Sequence, residues 1–580
     1  MLAAVDSIVL RAEKHGEAAP HYVDAGQVSK LAVIDNQIGY GRRGTGKTHL
    51  LHELSNRIHF RQNEISIILD LQKMAMAPLD RPWIANPFTA AASVFSYVVS
   101  EVANAFFTSL EVSSRASSEW PEKRTISDED VRGLLTRILN IADGSYQKPV
   151  TANIAAEEMS RSELEHSAKG GLKVSPTTAS VDISHSTTEK GGRSYTEKEA
   201  GDASLMIQFP EIIQAFEQIL SGLGLERVWL LVDEWSFIPE EVQPYLADLF
   251  RRTFAPSPKF TIKIVCLPHK TNLSVVMAGR TIGFEVGGDI FPGIDLDDIL
   301  IYAKAPDTVE LVFARILYAH LTTSKKLTLP DPDKSIHNFA NAIFSDRRAL
   351  VELIKASEGN PRDFLHIFVT SYRSTFETPG TIAIGIPVIR NSAADWFERD
   401  KLKNTNPIQK QILQRLISEV IRDRKSKLFL ARQERGSSPT LRDLQHSRLL
   451  HRWHRGYAAK GGQDSERYDV YAIDYGAYVD LRTTVLGREI DEEFVIDSAA
   501  PELSVEVPDP DKRKFRHIVL PDDLLDEFDQ MLEGVVECPH CRARFSPSQR
   551  SYMVRRLCPE CFEPAESPAE PVETKGDVAH

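Results

Sequence analysis

The 580-residue chain has no run of about 18 consecutive apolar residues, so no transmembrane helix is expected. Its first segment, MLAAVDSIVLRAEKHGE, has no basic stretch ahead of an apolar run that Asp6 interrupts, and no signal peptide is read there. Cysteine is scarce. Of five residues, Cys266 stands alone in an apolar run and the other four form two Cys-x-x-Cys pairs near the end. Without a secretory signal, that usage argues against a disulfide framework and for a metal site in a reducing, cytoplasmic setting. Positive charge is also in deficit. Lys plus Arg number 69 against 82 Asp plus Glu, a net charge of −13, which argues against a nucleic-acid coat over the whole chain but hides local patches. The hydrophobic share of 42% permits a sizeable core, and the length suggests roughly three to five domains.

The first motif runs Gly41-Arg42-Arg43-Gly44-Thr45-Gly46-Lys47-Thr48, followed by His49 and an amphipathic helix pattern through Leu50, Leu51, Leu54 and Ile58. It satisfies G-x-x-x-x-G-K-[ST] in full. Glycines let the loop wrap close to phosphate oxygens, and the helix that follows points its positive end at the same anion. Lys47 suits the β- and γ-phosphates, and the Thr48 hydroxyl suits Mg²⁺. Residues 41–49 therefore read as a nucleoside triphosphate site, with ATP as the expected ligand.

Val228 to Glu234 is a buried-strand run ending in Asp233 and Glu234, the Walker B pattern. Asp233 would hold Mg²⁺ and Glu234 would polarise the attacking water. Glu64–Asp70 reads as another strand, 87–111 as a long apolar helix, 240–252 as a helix and 260–267 as a further buried strand. This alternation predicts an α/β fold with a parallel sheet. The stretch 113–202 reads as a polar insertion, and within 167–201 either a hairpin through Leu172, Val174, Val181 and Ile183 or disorder is expected.

With GRRGTGKT at 41–48, LLVDE at 230–234 and Gly359-Asn360-Pro361-Arg362, the chain resembles an AAA+ ATPase of the Orc1/Cdc6 type and its bacterial relatives. The resemblance covers about residues 25–380. It implies a helical lid in which Arg362, in a helical region 351–372, reaches the γ-phosphate as sensor 2, and a winged-helix domain after the lid. Bacterial relatives of this type are associated with antiviral defence or mobile elements. The chain departs from the pattern in its long insertion and in having no clear sensor 1 asparagine, for which His269 or Thr271 stands in. No arginine finger is defined; Arg251, Arg252 and Arg280 are the candidates. Homo-oligomer formation stays open for that reason.

From 401 to 460 the chain carries 15 Lys plus Arg against 4 Asp plus Glu. Ile408, Ile412, Leu416 and Val420 are spaced as on a helix. A second helix is expected over LRDLQHSRLLHRWHR with Thr440 as its cap, then a short strand through Tyr468 to Tyr475. Arg448, Arg452 and Arg455 would share one face of that second helix and contact DNA phosphates. The other reading is a basic face docked on the acidic remainder of the protein.

Cys538, Cys541, Cys558 and Cys561 form two knuckles 16 residues apart, the spacing of a Zn²⁺ ribbon whose four thiolates leave no open coordination position. Such a ribbon binds nucleic acid or protein. The expected organisation is an ATPase core (1–300), lid (301–395), winged-helix-like basic domain (396–496), linker and helix (497–534), zinc ribbon (535–563) and disordered tail (564–580). Two functions follow. One is an ATPase coupling nucleotide state to DNA. The other is a slowly hydrolysing switch that signals to an effector protein.

Overall fold

The computed structural model describes residues 2–6, 22–59, 63–75, 87–115, 125–144, 209–277, 279–302, 304–323, 327–377, 383–424, 426–457, 466–480, 518–533, 536–545 and 556–565, with residues 8, 61, 547, 551 and 552. They divide into two compact units.

The first unit holds residues 26–40 and 47–294. Its strands are β1 (Gln37–Tyr40), β2 (Glu64–Asp70), β3 (Arg227–Asp233) and β4 (Phe260–Cys266), then the hairpin β5 (Ser274–Met277) and β6 (Arg280–Gly283), and finally β7 (Phe291–Asp295), whose last residue, Asp295, belongs to the second unit. The main sheet has the order β2-β3-β4-β1-β7, and β1 to β4 run parallel. β3 and β4 are buried almost end to end, which is why β3 reads as an unbroken apolar run from Val228 to Val232, whereas β4 carries Thr261 and Lys263 in buried positions. Parallel pairing requires crossovers, and the helices Lys47–His59 and Gln243–Thr253 supply two of them.

The expected long helix runs from Pro87 to Arg115. Its stretch Pro87–Thr108 is long and apolar enough to cross a membrane by length and composition, although interspersed polar residues keep it from being an unbroken apolar run. That face is used internally: Val94, Phe95, Val98, Val102 and Phe106 are buried with Phe216, Phe250 and Phe254. The 113–202 stretch is polar only in part. Ser127 caps a helix, Asp128–Gly144, whose Val131, Leu135 and Ile138 are buried in the same core. The polar character of its exposed face hid it. Residues 145–208, with the hairpin-or-disorder segment, lie outside the described residues.

The second unit holds residues 1–25, 41–46 and 295–580. Its helical part includes Pro306–Thr322, Arg347–Ala356, Pro361–Glu377 and Ile386–Trp396, packed around Phe313, Leu350, Phe364 and Phe368. The helical region expected over 351–372 is two helices. Glu358 and Gly359 both take positive φ (47° and 75°), and Pro361 starts the second helix.

The basic segment forms a separate core. It contains Pro407–Leu416, β8 (Leu428–Arg432), Pro439–His446, β9 (Leu450–Tyr457) and β10 (Tyr468–Ile473). The sheet is antiparallel in the order β8-β10-β9, and with its helices it has the winged-helix order of elements. Two expectations are corrected. The second helix stops at His446, because Arg448 takes φ +60° and Leu449 and Leu450 turn into the core as β9 begins. Its cap is Ser438, whose Oγ accepts from the Leu441 N–H, while the Thr440 N–H donates to Asp529. The helix Asp522–Glu533, expected beside a linker, inserts Leu525 and Phe528 among Ile412, Leu416 and Leu441 and so completes this core. The linker segment 497–511 and residues 566–580 lie outside the described residues.

One buried charge in the first unit has a measurable consequence. Lys263 on β4 is fully buried, and its Nζ donates to Val33 O, Asp35 O and Gln37 Oε1 at 2.7, 2.6 and 2.6 Å. Burial pushes its pKa down to about 7. Between that value and the unfolded lysine's, about 10.4, the unfolded chain binds the extra proton. Stability from this group therefore rises with pH across that window and is lost as pH falls through 7, by about 1.4 kcal/mol per pH unit. Denaturant titrations of wild type and Lys263→Met between pH 6 and 10 should show the wild type gaining on the variant as pH rises. Parallel curves would refute the assignment.

Candidate nucleotide site and cysteine cluster

In the first unit, chemistry gathers at the C-terminal ends of β2 and β3. The parallel register sets Asp70 opposite Asp233. Asp233 is buried, its carboxylate accepts from the Glu234 N–H at 2.9 Å, and it is hydrogen-bonded to the Thr48 side chain. Burial raises its pKa, against the lowering effect of Thr48, the Glu234 N–H and Lys47. Lys47 and Thr48 open the Lys47–His59 helix, whose Leu50, Leu51, Leu54 and Ile58 are buried and hold that first turn in place. Glu234 takes φ 53° and ψ 33°, a left-handed geometry unusual for a side chain of this size, at the entry to a short turn, Trp235–Phe237. The fold thus brings Lys47, Thr48, Asp233 and Glu234 together.

The region after β4 has settled partners. Thr271 Oγ1 donates to Leu267 O at 2.7 Å, and Ser236 Oγ accepts from the Leu267 N–H at 2.8 Å. Arg251 and Arg252 both pair with Asp248, at 2.7 and 2.6 Å, whereas Arg280 stands exposed on the β5–β6 hairpin.

In the second unit, residues 41–46 are bound to the start of the Pro361–Glu377 helix. Asn360 Oδ1 caps that helix, accepting from the N–H groups of Arg362 (3.0 Å) and Asp363 (3.3 Å). Its Nδ2 donates to Arg43 O at 2.7 Å, and the Arg362 N–H donates to Gly44 O at 3.3 Å. Arg362, expected near the phosphates, therefore lies against the loop. Gly44 has φ +89°, and a Cβ there would sit 2.6 Å from Asn360 Oδ1 and 2.7 Å from Arg362 Cβ.

Arg42 points away along a different path. Its Nε donates to Asp297 Oδ1 (2.8 Å), its Nη2 to Glu358 O (3.1 Å) and its Nη1 to His451 Nδ1, while its backbone N–H donates to Asp297 Oδ2 (3.0 Å). Asp297 and His451 were not singled out in the sequence. Neither carries a motif, and only the fold brings them to the loop.

Arg448, Arg452 and Arg455 do not share a helix face. Arg448 lies in the turn before β9, and the other two are on the strand. Arg448 pairs with Asp363 (2.5 Å) and Asp400, and Arg452 and Arg455 pair with Asp295 at 3.6 and 2.9 Å. Elsewhere in the segment, Lys401 sits between Asp363 (3.2 Å) and Asp474 (2.5 Å), and Lys427 pairs with Glu358 (3.2 Å). Much of the local positive charge is thus matched within the same unit.

The four cysteines converge. The Sγ atoms of Cys538, Cys541, Cys558 and Cys561 all lie within 4.8 Å of one another, with 538–561 at 3.6 Å and 541–558 at 3.5 Å. A tetrahedron with metal–sulfur bonds of about 2.3 Å has edges of about 3.8 Å, so the set fits a thiolate-bound ion. The two knuckles are built alike. The Arg542 N–H donates to Cys538 O and the Phe562 N–H to Cys558 O, at 2.9 and 3.0 Å, and both residues take positive φ. Among the described residues, a small apolar cluster around Val536, Phe545 and Tyr552 accompanies them.

A test of the loop packing follows from Gly44. Gly44→Ala combines left-handed strain, roughly 1–2 kcal/mol, with a clash against Asn360. Gly26→Ala carries the strain alone, since nothing lies within 4 Å of its Cβ position at φ +94°. Thermal unfolding should show the larger loss at Gly44; equal losses would mean that the loop is not seated on Asn360.

No family model and no curated protein matches the chain. Among solved structures, Cdc6p from Pyrobaculum aerophilum is similar at 11% identity and a TM-score of 0.31, covering 82% of this chain and 98% of that one. A Drosophila ORC structure bound to DNA is similar at 9% identity and a TM-score of 0.28, covering 82% of this chain and 90% of that one. Likeness at this level carries no argument. The α/β architecture rests on the parallel sheet and its order.

Proposed function

We propose that this protein is an Mg²⁺-dependent AAA+ ATPase that couples its nucleotide state to DNA. The observation that carries the nucleotide part is the Thr48–Asp233 contact beside Lys47 at the end of β3, on a helix N-terminus that opens directly from a complete phosphate-loop motif. Thr48 and Asp233 would hold Mg²⁺, which supplies charge neutralisation for the phosphates when bound. Lys47 holds the β- and γ-phosphates, Gly41 to His49 wrap the phosphate chain, and Glu234 orients and deprotonates the attacking water. Arg362, seated against Gly44, serves the γ-phosphate. Among Arg251, Arg252 and Arg280, the exposure of Arg280 on the β5–β6 hairpin favours it as a residue contributed to a neighbour in a homo-oligomer.

The ion pairs of Arg448, Arg452 and Arg455 favour a second reading of the basic domain, in which it answers to nucleotide within the protein and the chain acts as a slow switch toward an effector protein. The cysteine cluster would hold one Zn²⁺, and reduced thiols of this kind suit the cytoplasm.

Lys47→Ala should abolish binding of a fluorescent ATP analogue, and Glu234→Gln should keep binding while losing hydrolysis by at least tenfold in a phosphate-release assay. Turnover measured with and without duplex DNA at two salt concentrations separates the readings. Salt-sensitive stimulation that Arg455→Glu weakens supports DNA coupling, and unchanged turnover supports the switch. Elemental analysis should find one zinc per chain. Chelation should unfold the ribbon, seen as loss of amide protection in residues 536–545 and 556–565, because so small a core does not stand without metal.

A further inference from the structure

Arg42 belongs to the phosphate-loop motif, yet three chemically different acceptors engage its guanidinium: a carboxylate at Asp297, a backbone carbonyl at Glu358 and an imidazole nitrogen at His451. The third defines the state of the histidine. A guanidinium only donates, so Nδ1 of His451 must accept, and the ring hydrogen therefore sits on Nε2. Nε2 meets Asp474 Oδ2 at 2.7 Å. Both His451 and Asp474 are buried. Burial, and then the neighbouring Arg42 charge, hold the His451 pKa below its usual value, in keeping with a neutral ring.

The chain of contacts continues. Asp474 also accepts from Lys401, whose ammonium is shared with Asp363. Asp363 accepts from Arg448 and lies one residue beyond Arg362. A loop residue, the helix that carries Arg362 and the end of β10 are thus joined by one buried polar path, and a change of partner at one member alters the electrostatics of the next. His451 is on β9 and Asp474 follows β10, so the anchor of this path is the three-stranded domain itself.

We propose that His451 is a positioning residue for the phosphate loop. By holding Arg42 through a neutral imidazole braced on Asp474, it makes the three-stranded domain 428–473 the element that reads nucleotide occupancy. The proposal rests on the nucleotide-binding reading above. Coupling of this kind is reciprocal: if the domain stabilises the loop that binds ATP, ATP must stabilise the domain.

The test uses the full-length protein. Asn at 451 offers a carbonyl oxygen near the Nδ1 position and keeps an acceptor for Arg42, whereas Gln reaches the Nε2 position, keeps the donation to Asp474 and abandons Arg42. With a fluorescent ATP analogue and Mg²⁺, His451→Gln and His451→Ala should bind five- to a hundredfold more weakly, the span of ordinary coupling, and His451→Asn should stay within about threefold of wild type. A purely structural role would make the losses follow each variant's thermal stability, with Asn and Gln alike, and that result overturns the proposal. Hydrogen exchange on wild type needs no variant: MgATP should slow exchange in 450–457 and 468–473, and unchanged exchange in a protein that binds MgATP overturns the proposal. Absence of any MgATP binding by wild type would instead sink the nucleotide reading beneath it.

Discussion

A charge removed from water must be met by opposite charge or by hydrogen bonds, and that requirement organises the second unit of this protein. Arg42, Lys401 and Arg448 are cations in buried or half-buried positions, and Asp297, Asp363, Asp400 and Asp474 answer them. Removing one partner would leave the other charge buried and uncompensated, which costs far more than the pair contributes in net stability. The arrangement is therefore better understood as specifying where each segment sits than as a source of stability. It binds a six-residue loop at 41–46, a helix start at 361–363 and the turn after β10 to single positions.

The loop itself shows the same economy. Asn360 uses its carbonyl oxygen to cap one helix and its amide to hold the Arg43 carbonyl. Gly44 has no side chain because Asn360 and Arg362 already occupy the space a Cβ would need. In the first unit the equivalent restraint is apolar: Leu50, Leu51, Leu54 and Ile58 anchor the helix that Lys47 and Thr48 open, and the parallel register of β2 and β3 delivers Asp70 and Asp233 to one edge. Packing supplies rigidity within the first unit, and hydrogen bonding and charge supply it within the second.

The basic segment illustrates how composition and structure part company. An excess of 15 cations over 4 anions in 60 residues reads as a surface for phosphates. Acids distant in sequence meet many of those cations: Arg452 and Arg455 share Asp295, and Lys427 meets Glu358. The helix expected through Arg455 ends nine residues earlier, because Leu449 and Leu450 have a core to enter and Arg448 turns the chain with a positive φ. Local propensity favoured continuing the helix, and tertiary burial overrode it. The Asp128–Gly144 helix is the opposite case, in which charged and polar neighbours concealed an apolar stripe through Val131, Leu134, Leu135, Ile138, Leu139 and Ile141.

By itself the sequence determined the groups whose chemistry is encoded in short spacing. The loop 41–48, the strand ending at Asp233 and Glu234, and the paired Cys-x-x-Cys knuckles are local patterns, since the backbone within a few residues sets their geometry. The same holds for β3, whose unbroken apolar run Val228 to Val232 announces burial on both faces. Only the tertiary structure decided the partners of Arg42, the neutral state of His451, the placement of Arg362 against Gly44 and the neutralisation of the basic segment. Those depend on residues from 23 positions apart, as for His451 and Asp474, to 409, as for Arg42 and His451, beyond the reach of a local spacing rule. What selects them is the energy of burying charge, which exists only once the chain has folded.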